Sequence, residues 1–251
     1  MAIDRVALVT GANKGVGKQV ARELVASGLK VYIGSRDLVR GQTAAAEIGD
    51  GAVAVQLDVT DSASIAAAAK RIGAEVGRLD VLVSNAGISH TDGDGFTMEQ
   101  YAAMSKPSSA PLNEMRAVWD VNVFGALSVY QAMLPLLRQS ADARIVNVTS
   151  GLGSLTDAAD PGNAYRATFG PIYPASKTAL NALTMSMMIE LEDTDIKVNL
   201  VSPAFTATAL NNFAGTESVE DGSREVVRVA LLGPDGPSGT FTLWEGQEIP
   251  W

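Results

Sequence analysis

Tyr173 and Lys177 stand four residues apart in Tyr173-Pro174-Ala175-Ser176-Lys177. A proline in the first turn suits a helix start, and the i, i+4 spacing then brings the phenol and the amine to one face. A phenol with an ordinary pKa near ~10 shuttles protons poorly at neutral pH, but a neighbouring ammonium favours the phenolate and makes it a usable acid or base. The same spacing also describes an ordinary surface pair. Ser150 follows the apolar run Ile145-Val146-Asn147-Val148-Thr149. Its hydroxyl would therefore stand at the carboxyl edge of a strand, where open α/β sheets bind ligands, placed to donate to a carbonyl oxygen. A turn serine before Gly151 reads equally well.

A second constellation is suited to phosphate. The first apolar run leads into Thr10-Gly11-Ala12-Asn13-Lys14-Gly15-Val16-Gly17 and then into a helical pattern. Glycines let the backbone turn sharply and approach a pyrophosphate, while the helix start supplies N–H donors and the positive end of its dipole. That placement predicts dinucleotide binding. About 20 residues on, where such folds read the adenosine ribose, the chain has Gly34-Ser35-Arg36-Asp37. Arg36 offers a planar donor fork for a 2′-phosphate and Lys14 a second positive charge, which favours NADP(H). The alternative makes both cations solvated and Asp37 the ribose acid; Asp37, however, also suits the cap of the following helix.

The elements that must position these groups follow from patterning. Short β-branched runs alternate with longer Ala-rich, helix-period stretches to about residue 201, the signature of βαβ units around a buried parallel sheet. Strands are predicted at Arg5 to Thr10, Lys30 to Ser35, Ala52 to Leu57, Leu79 to Ser84, Arg144 to Thr149, Lys197 to Val201 and Gly239 to Leu243. Asp61 and Gly77 bracket a helix from Ser62 to Val76, as cap and stop. The expected fold class is α/β: a single-domain Rossmann fold over 1–251, a doubly wound, mostly parallel seven-stranded sheet with helices on both faces. Loop insertions near 90–111 and 155–170 and a short substrate-loop segment near 209–233 interrupt the pattern, and long loops in compact domains are often functional.

Composition narrows the chemistry. With no Cys among 251 residues and a single histidine, His90, a thiolate site, a histidine-rich metal site or a Ser-His-Asp triad is hard to build, so no metal is expected. His90 itself reads as a solvated loop residue. A net charge of −9 disfavours nucleic acid and anionic membrane surfaces as partners. No apolar stretch approaches a membrane span, and the N-terminal apolar run Val6 to Val9 is too short for a signal peptide, which makes the cytoplasm the expected location.

Together these residues resemble the short-chain dehydrogenase/reductase family over essentially the whole chain. The glycine turn, Asp58 after strand three, Ser84-Asn85-Ala86-Gly87 after strand four, Asn122 in Val121-Asn122-Val123-Phe124-Gly125, then Ser150, Tyr173 and Lys177 occur in the family's order. The strand order 3-2-1-4-5-6-7 is expected with it. By that resemblance Asn122, Ser150, Tyr173 and Lys177 form a catalytic tetrad. Tyr173 protonates the carbonyl oxygen as hydride leaves the nicotinamide, and Ser150 polarises that oxygen. Lys177 lowers the tyrosine pKa and holds the nicotinamide ribose, and Asn122 anchors a relay water. The implied cofactor set is Gly11, Asn13, Lys14, Gly15, Val16, Gly17, Ser35, Arg36, Asp58, Val59, Asn85, Ala86, Gly87, Tyr173, Lys177, Pro203, Thr206 and Thr208, with Asp58 and Val59 at the adenine and Thr208 at the carboxamide.

Asn13-Lys14, Ser35-Arg36-Asp37 and Arg40-Gly41-Gln42 look most like the NADPH-dependent carbonyl reductases of the family. Ser84 departs from its usual asparagine, and Ala204 from the glycine that commonly follows Pro203. The implied activity is reduction of an aldehyde or ketone, a small-molecule substrate, with Trp119, Phe205, Phe213, Leu152 and Leu155 as candidate walls of an apolar pocket. Alternatives are a 3-oxoacyl thioester reductase, and a non-catalytic NADP-binding regulator. The family's usual homo-oligomer, dimer or tetramer, is expected, while the 155–170 insertion leaves a monomer open. Trp244 and Trp251 read either as a subunit contact or as cover for the sheet.

Overall fold

The computed structural model describes residues 5–91 and 106–251. One sheet organises them, with strands β1 (Val6–Thr10), β2 (Lys30–Ser35), β3 (Ala52–Gln56), β4 (Val81–Ser84), β5 (Arg144–Val148), β6 (Lys197–Val201), β7 (Phe241–Leu243) and β8 (Gln247–Glu248) in the order 3-2-1-4-5-6-7-8. Every pairing is parallel except β7 with β8. The seven expected strands are present in their expected order. The eighth is an addition: two exposed residues paired to β7 through Thr242 and Leu243, too short to leave a periodic trace in sequence.

Burial explains why these runs are strands. Alternate residues of β1 feed opposite layers, with Val6 and Leu8 in one apolar cluster and Ala7 and Val9 in the other. Both clusters are closed by helices, so the central strands are apolar throughout. Helices α1 (Gly15–Ala26), α2 (Leu38–Ile48) and α8 (Val219–Ala230) cover the Ala7/Val9 face, where Val16, Val20 and Leu24 meet Val226, Val229 and Ala230. The opposite face is covered by α3 (Ser62–Val76), α5 (Ala126–Leu137) and α7 (Tyr173–Glu190), through Ile65, Ile72, Met133, Leu137, Met187 and Leu191. A further helix, α4 (Leu112–Trp119), runs through a π-helical turn at Asp120–Gly125 into α5.

The expected caps hold. Asp37 accepts from Arg40 N and Asp61 from Ala63 N, while Gly77 ends α3 in the left-handed region at φ +73°. The 155–170 insertion contains α6 (Leu155–Ala159) and a 3-10 turn at Arg166–Thr168. The 209–233 segment contains α8, capped by Ser218 and anchored by buried Val226, Val229 and Ala230. Of the 90–111 segment, 92–105 lie outside the described residues.

Candidate active site

The parallel topology delivers the carboxyl ends of β1, β2, β4 and β5 to one edge, and each is followed by residues that chemistry could use. Past β1, the glycine turn is fixed from the next strand over. The Asn85 amide donates to Thr10 O at 2.9 Å and Gly11 O at 3.3 Å, and Thr10 Oγ1 accepts from both Asn85 N and Ala86 N at 3.0 Å. A Cβ on Gly17 would collide with the Asn85 side-chain amide and lie 2.8 Å from Gly11 O, so the third glycine is required by this packing. Lys14 is the N-cap of α1, with no side-chain cap of its own. The first N–H groups of α1 consequently face outward at its dipole's positive end, the arrangement that suits a pyrophosphate.

At the end of β2, Ser35 is buried and donates to Asp37 O at 2.7 Å, whereas Arg36 and Lys14 are exposed. Asp37 is committed to the Arg40 amide and to the Arg40 guanidinium at 3.5 Å. That leaves the capping role for Asp37 and free solvent-facing positive charge at Arg36. Past β3, Asp58 accepts from Thr60 N at 2.9 Å and Thr60 Oγ1 at 2.7 Å. Val59 beside it is buried against the π-turn, where a Cβ on Gly125 would lie 2.8 Å from Val59 Cγ2 and 3.0 Å from its carbonyl oxygen.

The π-turn is the device that aims Asn122. Inserted residues of this kind re-direct side chains and recur at functional sites. Asn122 is 1% exposed. Its Oδ1 accepts from Ile88 N at 2.9 Å, and its amide donates to Ile88 O at 2.9 Å and to Ser176 Oγ at 3.0 Å. Ser176, itself fully buried, donates to Tyr173 O at 2.6 Å. The π-turn, the strand β4 exit and the first turn of α7 are thus one hydrogen-bonded unit.

Lys177 lies inside that unit. It is 4% exposed, its Nζ donates to Val148 O at 3.0 Å and sits 5.7 Å from the centroid of the Tyr173 ring. Burial alone lowers its pKa from 10.5 to about 8. A Cβ on Gly87 would lie 3.2 Å from Asn122 Oδ1 and 3.5 Å from Lys177 Nζ, so Gly87 keeps these two groups in reach of the cleft. Ser150 completes the group: it follows the strand whose Val148 holds Lys177, and its Oγ accepts from Leu152 N at 3.2 Å, leaving its own proton to donate outward.

On the other side of the cleft, the chain after β6 folds over the glycine turn. Thr208 Cγ2 would be 3.6 Å from a Cβ on Gly15, and Thr208 caps the 3-10 turn Ala209–Asn211 reciprocally with Asn211. Thr206 is buried and donates to Pro203 O. Ala204 holds φ +56°, in the left-handed region where a Cβ is unfavourable. The main chain therefore keeps a glycine-type conformation although the residue is alanine.

Sequence reasoning missed Ser176, whose only signal was a small polar residue one place before Lys177. Of the candidate pocket residues, Leu152, Leu155, Phe205 and Phe213 lie on the loops at this edge, with Leu155, Phe205 and Phe213 exposed. Trp119 instead lines an apolar hollow of about 230 Å³ on α4 and the π-turn, with Leu112, Met115, Arg116, Asp120 and Phe124. Its indole N–H donates to Pro171 O at 3.2 Å. Trp251 meets Phe241 edge-on at 6.1 Å and covers the sheet, while Trp244 lies under the Arg224 guanidinium. His90 is part-buried rather than solvated. Among the described residues no group of His, Asp and Glu is placed to hold a metal, and no helix is long and apolar enough to cross a membrane.

The family model described as short chain dehydrogenase matches residues 5–218. The chain belongs to this family. A short-chain dehydrogenase of Penicillium roqueforti (anuI) is 34% identical over 90% of this chain and 88% of its own. The structure of salutaridine reductase from Papaver somniferum superposes with a TM-score of 0.79 at 29% identity, covering 96% of this chain and 99% of that one. A metagenomic short-chain oxidoreductase in complex with NADP superposes with a TM-score of 0.73 at 27% identity, covering 95% of each chain. As a short-chain dehydrogenase this protein is an oxidoreductase of carbonyl and alcohol chemistry that uses a nicotinamide cofactor and a small-molecule substrate.

Proposed function

We propose that the protein is an NADPH-dependent reductase of aldehydes or ketones, with Tyr173 as the general acid. The observation that carries this reading is a buried lysine with no carboxylate beside it among the described residues, held by Val148 O against the Tyr173 ring. Uncompensated burial of a cation is costly, and such groups cluster at functional sites.

The outward-facing start of α1, with Lys14 at its cap and Arg36 exposed at the end of β2, fits a dinucleotide carrying a 2′-phosphate. Lys14 and Arg36 would take that phosphate, Gly11, Asn13, Gly15, Val16 and Gly17 the pyrophosphate, Ser35, Asp58 and Val59 the adenosine, and Asn85 to Gly87 with Pro203, Thr206 and Thr208 the nicotinamide half. The bound cofactor supplies hydride. Ser150, its Oγ already accepting from Leu152 N, donates its proton as a hydrogen bond to the carbonyl oxygen and polarises it. The Tyr173 hydroxyl transfers its proton to that oxygen as charge develops there. Lys177, charged at neutral pH, favours the phenolate left behind. Both amide protons of the Asn122 side chain go to Ile88 O and Ser176 Oγ, and its Oδ1 accepts from Ile88 N; the side chain thus fixes the π-turn beside Lys177, and the main chain of that turn would hold a relay water.

The test is initial rates with NADPH and NADH across aldehydes, aryl ketones, ketoesters and an acyl thioester, for wild type and Tyr173→Phe. The variant should keep NADPH affinity while kcat falls about 10²- to 10⁴-fold. A variant that turns over like wild type removes the acid, and wild-type silence despite bound NADPH removes the reductase.

A further inference from the structure

The helix α6, five residues long, begins five residues after Ser150. A helix this short has no stability of its own, and none of its side chains is buried, so its position depends on hydrogen bonds to other parts of the chain. Three ties supply them. Ser154 Oγ accepts from Asp157 N at 3.1 Å. Arg166 donates to the carbonyls of Ala158 at 2.9 Å and Ala159 at 2.6 Å. The third tie comes from the far end of the sequence: the main-chain oxygen of Trp251 accepts from both Thr156 N at 3.1 Å and Thr156 Oγ1 at 2.6 Å.

Trp251 is itself anchored. Its ring packs edge-on against Phe241, which is 2% exposed and shares a small core with Leu200 and Ile249. Ile249 N donates to Phe241 O at 2.8 Å. The last sheet strands therefore reach across to the loop that follows the candidate carbonyl-binding serine. On the inner side that loop is already fixed, because Gly153 O accepts from Thr178 at 3.0 Å and Asn181 at 3.2 Å. Between the fixed Gly153 and the tethered Thr156 the chain presents Leu155, with Leu152 just before. These are the apolar side chains nearest Ser150 along the loop.

We propose that Trp251 is a positioning residue for substrate: by holding Thr156 it fixes α6, and thereby the Leu152 and Leu155 wall that receives the apolar part of a bulky carbonyl compound. This rests on the reductase reading above. Small carbonyl compounds do not reach that wall and should not sense the tether.

The experiment compares wild type, Trp251→Ala, Trp251→Phe and Thr156→Val by amide hydrogen exchange and by steady-state kinetics with NADPH, using a small aliphatic aldehyde and a bulky aryl ketone. In Trp251→Ala, exchange should accelerate across 152–160 while α1 and α7 keep wild-type protection. KM for the aryl ketone should rise about 3- to 10-fold, the range expected for losing one or two hydrogen bonds, with kcat and the aldehyde KM within about twofold. Trp251→Phe, which keeps an aromatic ring for Phe241, should stay close to wild type, and Thr156→Val, a surface change that leaves the core intact, should show a smaller shift of the same kind as Trp251→Ala. Unchanged exchange, or an equal KM shift for both substrates, overturns the proposal. Wild type that binds NADPH but reduces neither compound overturns the reductase reading as well, and is distinguished from failure of the tether alone, in which wild type turns over and Trp251→Ala matches it.

Discussion

Lys177→Met should make the protein more stable and inactive at once, by an amount that depends on pH. Lys177 is 4% exposed, and burial lowers its pKa from 10.5 to about 8. At pH 7 that fall corresponds to about 3 kcal/mol by which charging the lysine disfavours the folded state. Removing the amine also removes its hydrogen bond to Val148 O, a loss of about 1 to 2 kcal/mol. The expected net gain is about 1 to 2 kcal/mol at pH 7. Between pH 8 and 10.5 the folded wild type holds fewer protons at this site than the unfolded chain, so its stability rises with pH through that window while the methionine variant has no such term. By pH 9.5 the lysine's handicap should have shrunk by about 2 kcal/mol, bringing wild type level with or above the variant. Urea denaturation of both proteins at pH 7 and pH 9.5, with m-values compared, measures this directly. A stability difference that does not change with pH, or a variant that is less stable at pH 7, would refute the assignment of an uncompensated buried charge. Activity should fall in the variant at both pH values, since the group that favours the Tyr173 phenolate is gone.

Two further outcomes follow from the same geometry. Arg36→Ala should raise KM for NADPH about 10- to 100-fold, the range for losing a charge-assisted contact, and leave NADH within about twofold; equal loss with both cofactors in initial-rate assays would remove Arg36 as the phosphate reader. Ala204→Gly should relieve the φ of +56°. The left-handed conformation costs an alanine about 1 to 2 kcal/mol, and the extra entropy of unfolded glycine offsets about half of it, so Tm should rise by about 1 to 4 °C. A lower Tm in calorimetry would show that the turn is not strained.

The pattern of β-branched runs and Ala-rich helices determined the parallel sheet, because a strand buried on both faces must be apolar throughout and the parallel connection needs a helix between strands; the strand order came with the family resemblance. Asp37, Asp61 and Gly77 marked helix ends because caps act through local hydrogen bonds and local φ. The glycine turn and the order of Asn122, Ser150, Tyr173 and Lys177 were legible for a related reason: each stands next to an element that its neighbours in sequence define. What the tertiary structure alone decided is the environment of those groups. That Lys177 is buried with no countercharge among the described residues, and that Ser176 joins Asn122 to Tyr173, depends on residues 29 to 54 positions apart meeting in the folded chain. The π-turn packs Gly125 on Val59, β8 pairs with β7, and α6 is tied by Ser154, Arg166 and Trp251. Elements that short lack the repeated pattern a sequence displays, and take their stability from contacts made after the chain has folded.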